Sequence, residues 1–247
     1  MARTRLYFPG MIQPGQDLRL DADQARYIGK VLRLRTGDRI SVFSADSGEF
    51  DATVQTTGQS SATIRTGKRL ETATESPLKV HLVQGISRGE RMDFVVQKAT
   101  ELGVKRISPV LTQHGVVKLV ESRTEKRRAH WQKVAESACE QSGRVRPPLI
   151  DAPMRLNEWL GQKTADSDVD VILRPGAATA LTSIAAPRSK ICILIGPEGG
   201  FSEAEYGDAE IAGFMAVSLG PRVLRTETAA IAALAVVQSL WGDLRLD

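Results

Sequence analysis

The arrangement of apolar residues changes once along this chain of 247 residues, close to Pro77. Before that point apolar and polar residues alternate, as they do around Ile40 and Val42 and again around Ala62 and Ile64. A period of two is typical of β-strands with one buried face. After that point, continuous apolar runs alternate with apolar stripes at helical spacing. The sequence therefore predicts a small β domain followed by a larger α/β domain.

Turn signals separate the predicted strands of the first 75 residues, and a compact β-barrel is the natural closure for such a set. The segment 25–35 lies before most of these strands and mixes apolar with basic residues. Its apolar residues can cover the core of the domain, while Arg26, Lys30 and Arg33 face outward. The predicted β domain therefore has a basic edge.

Periodicity is lost over residues 70–77, and we place the boundary there, which gives domains of residues 1–73 and 74–247. In the second domain, residues 169–173 and 191–195 form continuous apolar runs. Such runs are expected for strands that are buried on both faces, as in a parallel sheet. Because helical stripes separate them, we predict an α/β domain with a mostly parallel sheet.

Positive charge is concentrated in the middle of the chain. The net charge is +4, whereas residues 76–150 carry 14 Lys and Arg against 7 Asp and Glu, a net of +7 by subtraction. Clustered cations favour binding to a phosphate backbone through counterion release. A solvated helix face would give the same pattern, so the charge alone leaves both interpretations open.

Composition also limits the location and the metal content. No apolar run approaches the ~18 residues that span a membrane, and the first residues lack the apolar core of a signal peptide. We therefore expect a cytoplasmic protein with no membrane partner. Cys139 and Cys192 are the only cysteines, too few for a disulfide scaffold or a four-ligand zinc site. We expect no bound metal.

Two predicted strands of the second domain end in the same way. The strand over 193–195 leads into Gly-Pro at 196–197, and the strand over 217–219 leads into Gly-Pro at 220–221. In open parallel sheets, ligands bind beyond the carboxyl ends of strands. Glycine lets a backbone approach a ligand closely, and the free N–H and C=O groups of such a loop suit the edge of an adenine ring. For either loop alone, an ordinary strand-to-helix turn is the alternative.

Other signatures of nucleotide-binding proteins and hydrolases are missing from the sequence. It contains no G-x-x-x-x-G-K-[ST], no G-x-G-x-x-G after a strand, no H-E-x-x-H and no G-x-S-x-G. The histidines His81, His114 and His130 are expected to be structural or on the surface. The two Gly-Pro loops therefore form the candidate ligand site.

Motifs along the chain, together with these two loops, resemble those of one known family. They are Ile28–Arg33, Ser87–Met92, Gln97–Val104, Cys139–Arg144, Ile195–Gly200 and Leu219–Ala229. Over nearly its whole length the sequence resembles the RsmE family of 16S ribosomal RNA (uracil-1498-N3)-methyltransferases, in the SPOUT superfamily. The last two motifs together are highly specific, and the shorter helical ones are weak alone.

The resemblance implies features that residue spacing does not show. The first domain would be a PUA-like RNA-binding β-barrel, and the second would contain a C-terminal trefoil knot. The knot would bind S-adenosyl-L-methionine, and the protein would act as a homodimer on 16S rRNA of the 30S subunit. After Leu173 many relatives carry a histidine, and here the residue is Arg174. A role of that histidine cannot be carried over to this chain.

The resemblance also implies a set of cofactor-binding residues in the two loops and at the end of one strand. They are Leu173, Ile195, Gly196, Pro197, Glu198, Gly199, Leu219, Gly220, Arg222, Leu224 and Thr226. Uracil N3 carries a proton, so methylation needs a base or a cation that stabilises the uracil anion. Arg225, Arg222 and Arg88 are candidate cations, and Glu140 and Glu227 are candidate bases. Pairing with arginines or helix capping is the alternative role for both glutamates.

Basic residues of both domains are candidate contacts to RNA phosphates. They are Arg26, Lys30, Arg33, Arg91, Lys98, Arg144 and Arg146. Two other functions stay open: a non-catalytic RNA-binding ribosome-assembly factor, and a SPOUT methyltransferase that acts on another base or on a ribose. The intact Gly-Pro loops argue against the first, and the family motifs argue against the second.

Overall fold

The computed structural model describes residues 4–58, 60–115 and 121–244, with side chains from residue 124 onward in the last range. The chain divides into two compact units. Unit 1 comprises Met1–Glu75 with Cys139–Arg146, and unit 2 comprises Ser76–Ala138 with Pro147–Asp247. The sequence assigned Cys139–Arg146 to the second domain, whereas their contacts place them in unit 1.

Unit 1 is built on a five-stranded sheet. Its strands are β1 (Arg5–Tyr7), β2 (Asp17–Leu20), β3 (Arg39–Ser44), β4 (Gly48–Thr56) and β5 (Ala62–Leu70). The order is β1-β3-β4-β5-β2, with β1 parallel to β3 and the other pairs antiparallel. The period-two segments predicted as strands are confirmed as β3, β4 and β5. Their alternate residues, such as Ile40 and Ile64, are fully buried in one hydrophobic cluster.

The predicted core-covering segment forms helix α1 (Ala22–Arg26) and a π-helical turn (Tyr27–Val31). Asp21 caps α1 in a capping box with Gln24, which satisfies free N–H groups at the helix start. Ala25 and Ile28 are fully buried against the sheet. The opposite side of the segment is exposed, as expected from the alternation of apolar and basic residues.

A network of arginine contacts attaches Cys139–Arg146 to the rest of unit 1. Arg5 pairs with Glu49 at 3.0 Å and donates to the backbone oxygens of Cys139 and Arg144. The Arg144 side chain is buried and pairs with Glu75 at 3.0 Å. A buried, paired guanidinium cannot reach a phosphate, so the predicted RNA contact of Arg144 is corrected to a structural ion pair.

Unit 2 contains the predicted parallel sheet, with seven strands. They are β6 (Lys79–Gly85), β7 (Arg106–Leu111), β8 (Leu149–Ile150), β9 (Met154–Arg155), β10 (Val169–Leu173), β11 (Lys190–Ile195) and β12 (Met215–Val217). The order is β12-β10-β11-β6-β7-β8, and β9 also pairs with β7. All of these pairs are parallel.

Helices cover both faces of this sheet. They are α2 (Glu90–Glu101), α3 (Glu121–Ser142), α4 (Leu156–Gln162), α5 (Glu203–Ile211) and α6 (Thr226–Trp241), together with a 3₁₀ turn (Leu181–Ser183). Successive residues of β11 face opposite sides: Ile193 belongs to the cluster with α2 and α6, and Leu194 to the cluster with α4 and α5. Burial on both faces explains the continuous apolar runs of the sequence.

A polar cluster lies near the amino ends of these parallel strands. His81 of β6 shares a hydrogen bond of 2.7 Å with Ser108, whose hydroxyl donates to Asp151. Arg106 also donates to Asp151, at 2.7 Å. Burial, followed by the positive charge of Arg106, lowers the pKa of His81 from 6.5 to about 4, and Asp151 opposes this shift only in part. The folded protein therefore keeps His81 neutral.

We predict that His81 makes the protein sensitive to acid. Because the folded pKa is lowered, its contribution to stability is full above pH 6.5 and is lost as the pH falls toward about 4. The free energy of unfolding should decrease by about 2 kcal/mol between pH 8 and pH 5 from this group. Urea titrations at several pH values measure this change. In His81→Gln the decrease should be smaller by the same amount, and an unchanged slope would assign the acid sensitivity to other groups.

Candidate active site

Three loops at the carboxyl ends of neighbouring parallel strands surround one cavity in unit 2. They are residues 173–175 after β10, 195–201 after β11 and 219–225 between β12 and α6. Because β10 lies between β11 and β12, the carboxyl ends of these strands meet at one edge of the sheet. We call this space of about 440 Å³ the carboxyl-edge cavity. Its size lies in the range of small-molecule sites.

A buried side-chain network joins the 195–201 loop to the start of α6. The Thr226 hydroxyl donates to the backbone oxygen of Gly196 at 2.6 Å. Gln84, at the end of β6 and fully buried, donates to that hydroxyl at 2.9 Å. One threonine therefore connects both Gly-Pro loops to the sheet, since it also ends the 219–225 loop.

Close packing around the 195–201 loop requires glycine at two positions. A Cβ at Gly85, at the end of β6, would lie 2.4 Å from Cδ of Pro197. A Cβ at Gly199 would lie 2.6 Å from the backbone oxygen of His114. Gly199 therefore packs against the segment at His114 and is not among the residues that line the carboxyl-edge cavity. A contact between the backbone of Gly199 and the cofactor stays a prediction.

The other predicted cofactor residues line the carboxyl-edge cavity. They are Leu173, Ile195, Gly196, Pro197, Glu198, Leu219, Gly220, Arg222, Leu224 and Thr226. The leucine and isoleucine side chains supply apolar surface, and the glycines expose backbone groups. This combination suits a flat heterocycle with a polar edge, because such a ring needs apolar contact on its faces and hydrogen bonds at its rim.

One wall of the cavity contains an arginine that the sequence left unassigned. Arg174 donates two hydrogen bonds to Glu203, at 3.0 and 2.8 Å, and its guanidinium carbon lies 4.5 Å from the ring centroid of Tyr206. Tyr206 in turn packs edge-on against Phe201, with centroids 5.5 Å apart. The ion pair with Glu203 and the contact with the Tyr206 ring hold Arg174 in the wall.

Aromatic and aliphatic residues of this wall escaped the sequence analysis. They are Phe201, Tyr206, Val217, Val223, Pro175 and Ala229. The apolar positions among them fit the pattern of an ordinary strand or helix. Only their place next to a Gly-Pro bend could have indicated a role in the site.

Charged residues are distributed around the mouth of the cavity. Glu198 pairs with Arg91 at 2.8 Å and accepts the backbone N–H of Arg88 at 3.2 Å. Burial raises the pKa of Glu198, but hydrogen bonds from its own backbone N–H and from the two arginines outweigh burial and hold the pKa below its usual value. Glu198 is therefore a carboxylate that orients Arg91.

The candidate catalytic residues occupy different places. Arg225 is the N-terminal cap residue of α6 and lines the carboxyl-edge cavity, as does Glu227 in the first turn of that helix. Arg88 contacts Glu198 through its backbone and is not a lining residue. Glu140 belongs to unit 1, where its carboxylate accepts the backbone N–H of Tyr7 at 3.0 Å. This hydrogen bond supports the structural alternative for Glu140, and its role as a base stays a prediction.

The candidate RNA contacts are also divided. Arg26, Lys30 and Arg33 are exposed on unit 1. In unit 2, Arg91 lines the carboxyl-edge cavity and Lys98 pairs with Glu101 at 2.8 Å. Arg146 is exposed, while its Nε donates to the backbone oxygen of Ala45 at 3.3 Å. Except for Arg144, all of these side chains are at least partly accessible.

Two kinds of feature are absent from the part of the chain that the structure describes. No group of three or more His, Cys, Asp or Glu in residues 4–58, 60–115 and 121–244 could hold a metal ion. In the same ranges, no helix is both long and apolar enough to cross a membrane.

Comparisons with known proteins agree with this geometry. A family model described as the RNA methyltransferase domain matches residues 74–238, and one described as the RNA methyltransferase PUA domain matches residues 20–66. Proteins named ribosomal RNA small subunit methyltransferase E are similar over nearly the whole chain. The protein from Buchnera aphidicola is 32% identical over 98% of this chain and 95% of its own length. The protein from Bacillus subtilis is 30% identical over 96% and 95%.

Solved structures give the same result. A methyltransferase from Legionella pneumophila in complex with S-adenosylmethionine is 39% identical, with a TM-score of 0.94 over 99% of this chain and 100% of that one. A ribosomal RNA small subunit methyltransferase E from Neisseria gonorrhoeae, bound to S-adenosylmethionine, is 38% identical, with a TM-score of 0.91 over 99% and 100%. The chain therefore belongs to the ribosomal RNA small subunit methyltransferase E family of RNA methyltransferases.

We predict that the Thr226 hydroxyl is needed for a formed cavity. Thr226→Val keeps the shape of the side chain but leaves Gln84 Nε2 and the Gly196 oxygen without this partner, which should cost about 1–3 kcal/mol of stability. Affinity for S-adenosylmethionine should fall about tenfold or more, since 1.4 kcal/mol corresponds to that factor. Urea unfolding and calorimetric titration measure the two effects. Thr228→Val, an exposed threonine of the same helix, is the matched control. Equal stability and equal cofactor affinity in both variants would show that the Thr226 hydroxyl is not needed for the cavity.

Proposed function

We propose that this protein transfers a methyl group from S-adenosylmethionine to N3 of uridine 1498 in 16S rRNA of the small ribosomal subunit. The main support is the carboxyl-edge cavity, in which both Gly-Pro loops line one space of about 440 Å³. The likeness of the whole chain to two structures bound to S-adenosylmethionine is the second support. The base and its position follow from the family motifs of the sequence.

The residues of the cavity suit the binding of an adenosyl group and the transfer of its methyl group. Leu173, Ile195 and Leu219 would contact the faces of the adenine, while backbone groups of the two loops would bind its edge. S-adenosylmethionine supplies an electrophilic methyl carbon when bound. The protein's main task is then to align the acceptor nitrogen with that carbon.

Arg225 and Arg222 are the proposed cations of the reaction. Both line the carboxyl-edge cavity and are exposed, and no ion pair involving either is found among the described residues. Loss of the N3 proton spreads negative charge onto O2 and O4 of uracil. A guanidinium directed at either oxygen stabilises that charge as it develops.

Unit 1 is proposed to be a PUA-like RNA-binding barrel, consistent with the matching family model. Its exposed basic residues Arg26, Lys30 and Arg33 would contact phosphates and orient the RNA without reading its sequence. Further phosphate contacts are proposed for Arg91, Lys98 and Arg146. These contacts would also weaken as the salt concentration rises.

Three finer properties are proposed from the family motifs: a trefoil knot at the cofactor site, a homodimer, and action on the 30S subunit in the cytoplasm. The strand order β12-β10-β11 is consistent with a knot, because the chain places β11 on one side of β10 and then crosses to place β12 on the other side. For the homodimer and the cytoplasmic location, the support is the family alone.

We predict that Arg225→Ala loses turnover much more than cofactor affinity. Removal of one preorganised charge from a transition state typically costs about 10²–10³-fold in kcat, while the affinity for S-adenosylmethionine should change less than about threefold. Mass analysis of nucleosides from 30S subunits treated with each variant measures N3-methyluridine. Arg188→Ala, which removes an arginine whose side chain is 91% exposed, should retain full turnover. An equal loss of turnover and affinity would move Arg225 to cofactor binding, and wild-type protein that forms no N3-methyluridine would refute the proposed function.

We also predict that the basic edge of unit 1 sets the salt dependence of RNA binding. Arg33→Ala and Lys30→Ala should each reduce the slope of log affinity against log salt concentration by about 0.7–0.9, because each phosphate contact releases about that number of counterions. Filter binding at several salt concentrations measures the slope. Arg144→Lys keeps a positive charge at a buried structural position and should leave the slope unchanged. Unaltered slopes in the first two variants would mean that these basic residues face solvent and contact no phosphate.

A further inference from the structure

Beside the carboxyl-edge cavity lies a second depression, which we call the side groove. Its lining comes from α2, α3 and the start of α6, and its volume is about 620 Å³. The lining residues are Glu90, Arg91, Asp93, Phe94, Gln97, Val134 and Glu227. Arg91 and Glu227 line the carboxyl-edge cavity as well. A ligand in the side groove would therefore meet the cofactor site at these two side chains.

The outward face of α2 contributes an exposed aromatic side chain to the side groove. The residues that α2 buries against the sheet include Met92, Val95 and Val96. Phe94 and Gln97 are exposed, between the members of this buried stripe. Phe94 is a large aromatic side chain with 44% exposure. An exposed ring beside a cofactor cavity offers a stacking surface for a planar ligand.

Glu227 supplies the second, independent observation. Its Oε2 atom is shielded from solvent and accepts no hydrogen bond from any described residue. A shielded carboxylate oxygen without a donor is unfavourable in a folded protein and requires an explanation. Its position in the first turn of α6 offsets part of this cost, since negative charge is favoured there. A ligand with an N–H group directed at Oε2 would supply the missing donor.

We propose that the side groove receives the target uracil after it leaves its stack in the RNA, with Phe94 against the face of the ring and Glu227 as the base at N3. This inference rests on the proposed function and extends it to the acceptor. Uracil presents acceptor, donor and acceptor groups at O4, N3 and O2. Glu227 would accept from N3, and Arg91 and Gln97, which line the same groove, carry N–H donors of the kind that the flanking oxygens need.

The proton and electron transfers of this arrangement balance. The N3 proton passes to Oε2 of Glu227, and the electron pair left on nitrogen forms the bond to the methyl carbon. The bond between that carbon and the donor's sulfur breaks, and its electrons stay on sulfur, which becomes a neutral thioether. Glu227 returns the proton to water after the product leaves. Cytosine lacks a proton at N3, so its lone pair would face the carboxylate and be rejected.

The first test replaces the proposed base. Glu227→Gln should reduce kcat on unmethylated 30S subunits about 10²–10⁴-fold, the usual contribution of a general base, with S-adenosylmethionine affinity within about threefold of wild type. The residual rate should rise about tenfold per pH unit in alkaline solution, because only uracil ionised by solvent can then react. Glu210→Gln, on the exposed face of α5, is the matched control. A wild-type pH profile in Glu227→Gln, or a parallel loss of cofactor affinity, overturns the assignment.

The second test concerns the stacking surface. Phe94→Leu should raise KM for 30S subunits about 5- to 100-fold, the range for loss of one base–aromatic stack, with kcat within a few-fold, and Phe94→Tyr should restore KM. Ile211→Ala removes another exposed apolar residue, 88% exposed, and should change nothing. An unaltered KM overturns the proposal, and so does a lower sedimentation coefficient of Phe94→Leu, which would make the groove a contact between subunits. If wild-type protein itself forms no N3-methyluridine, the proposed function fails first, and the two failures are thereby distinguished.

Discussion

The hydrogen bond from Thr226 to the Gly196 carbonyl is the contact on which the rest of the site depends. The two Gly-Pro loops follow different strands and lie more than twenty residues apart in sequence, so nothing local fixes their separation. Gln84 anchors the threonine to the sheet from a fully buried position. Because Arg225 and Glu227 flank Thr226, the same contact sets the cavity width and the position of the charged residues. The cofactor-binding residues and the catalytic residues that we propose therefore share one structural support.

The two edges of the parallel sheet hold different kinds of polar groups: ligand-binding loops at one edge and an internally bonded cluster at the other. All carboxyl ends of β10, β11 and β12 point to one edge, where the loops lose regular hydrogen bonding and are free to bind a ligand. The amino ends hold the cluster of His81, Ser108 and Asp151, whose hydrogen bonds are satisfied by one another. Polar groups at the first edge leave bonding capacity for a ligand, and those at the second edge use theirs within the protein. The titration of His81 consequently changes the stability of the fold. His81 is not among the described residues that line the carboxyl-edge cavity.

Most strands and helices could be predicted because their signals are local. The runs at 169–173 and 191–195 appear in the structure as β10 and β11. The seven-residue helix α4 was missed because it is too short to show a periodic stripe. Arg144 was misassigned for another reason: its partner Glu75 lies 69 residues away in sequence. Motifs indicate which residues matter, whereas only tertiary contacts show whether a side chain faces a ligand or a neighbour.

Two side chains shared by adjacent spaces have an energetic consequence. Arg91 is held by Glu198 in the wall of the carboxyl-edge cavity and also lines the side groove, and Glu227 lines both. A ligand in either space changes the solvation and the charge environment of the same pair. Because linkage is reciprocal, each ligand must change the affinity for the other by the same factor. In the proposed complex, S-adenosylmethionine lies on one side of Arg91 and Glu227 and the target uracil lies on the other. Both side chains then need ordered positions only when both ligands are bound. The cost of the shielded, unpartnered Glu227 carboxylate would then be confined to the free protein, and its pairing with the uracil would contribute to forming the reactive complex.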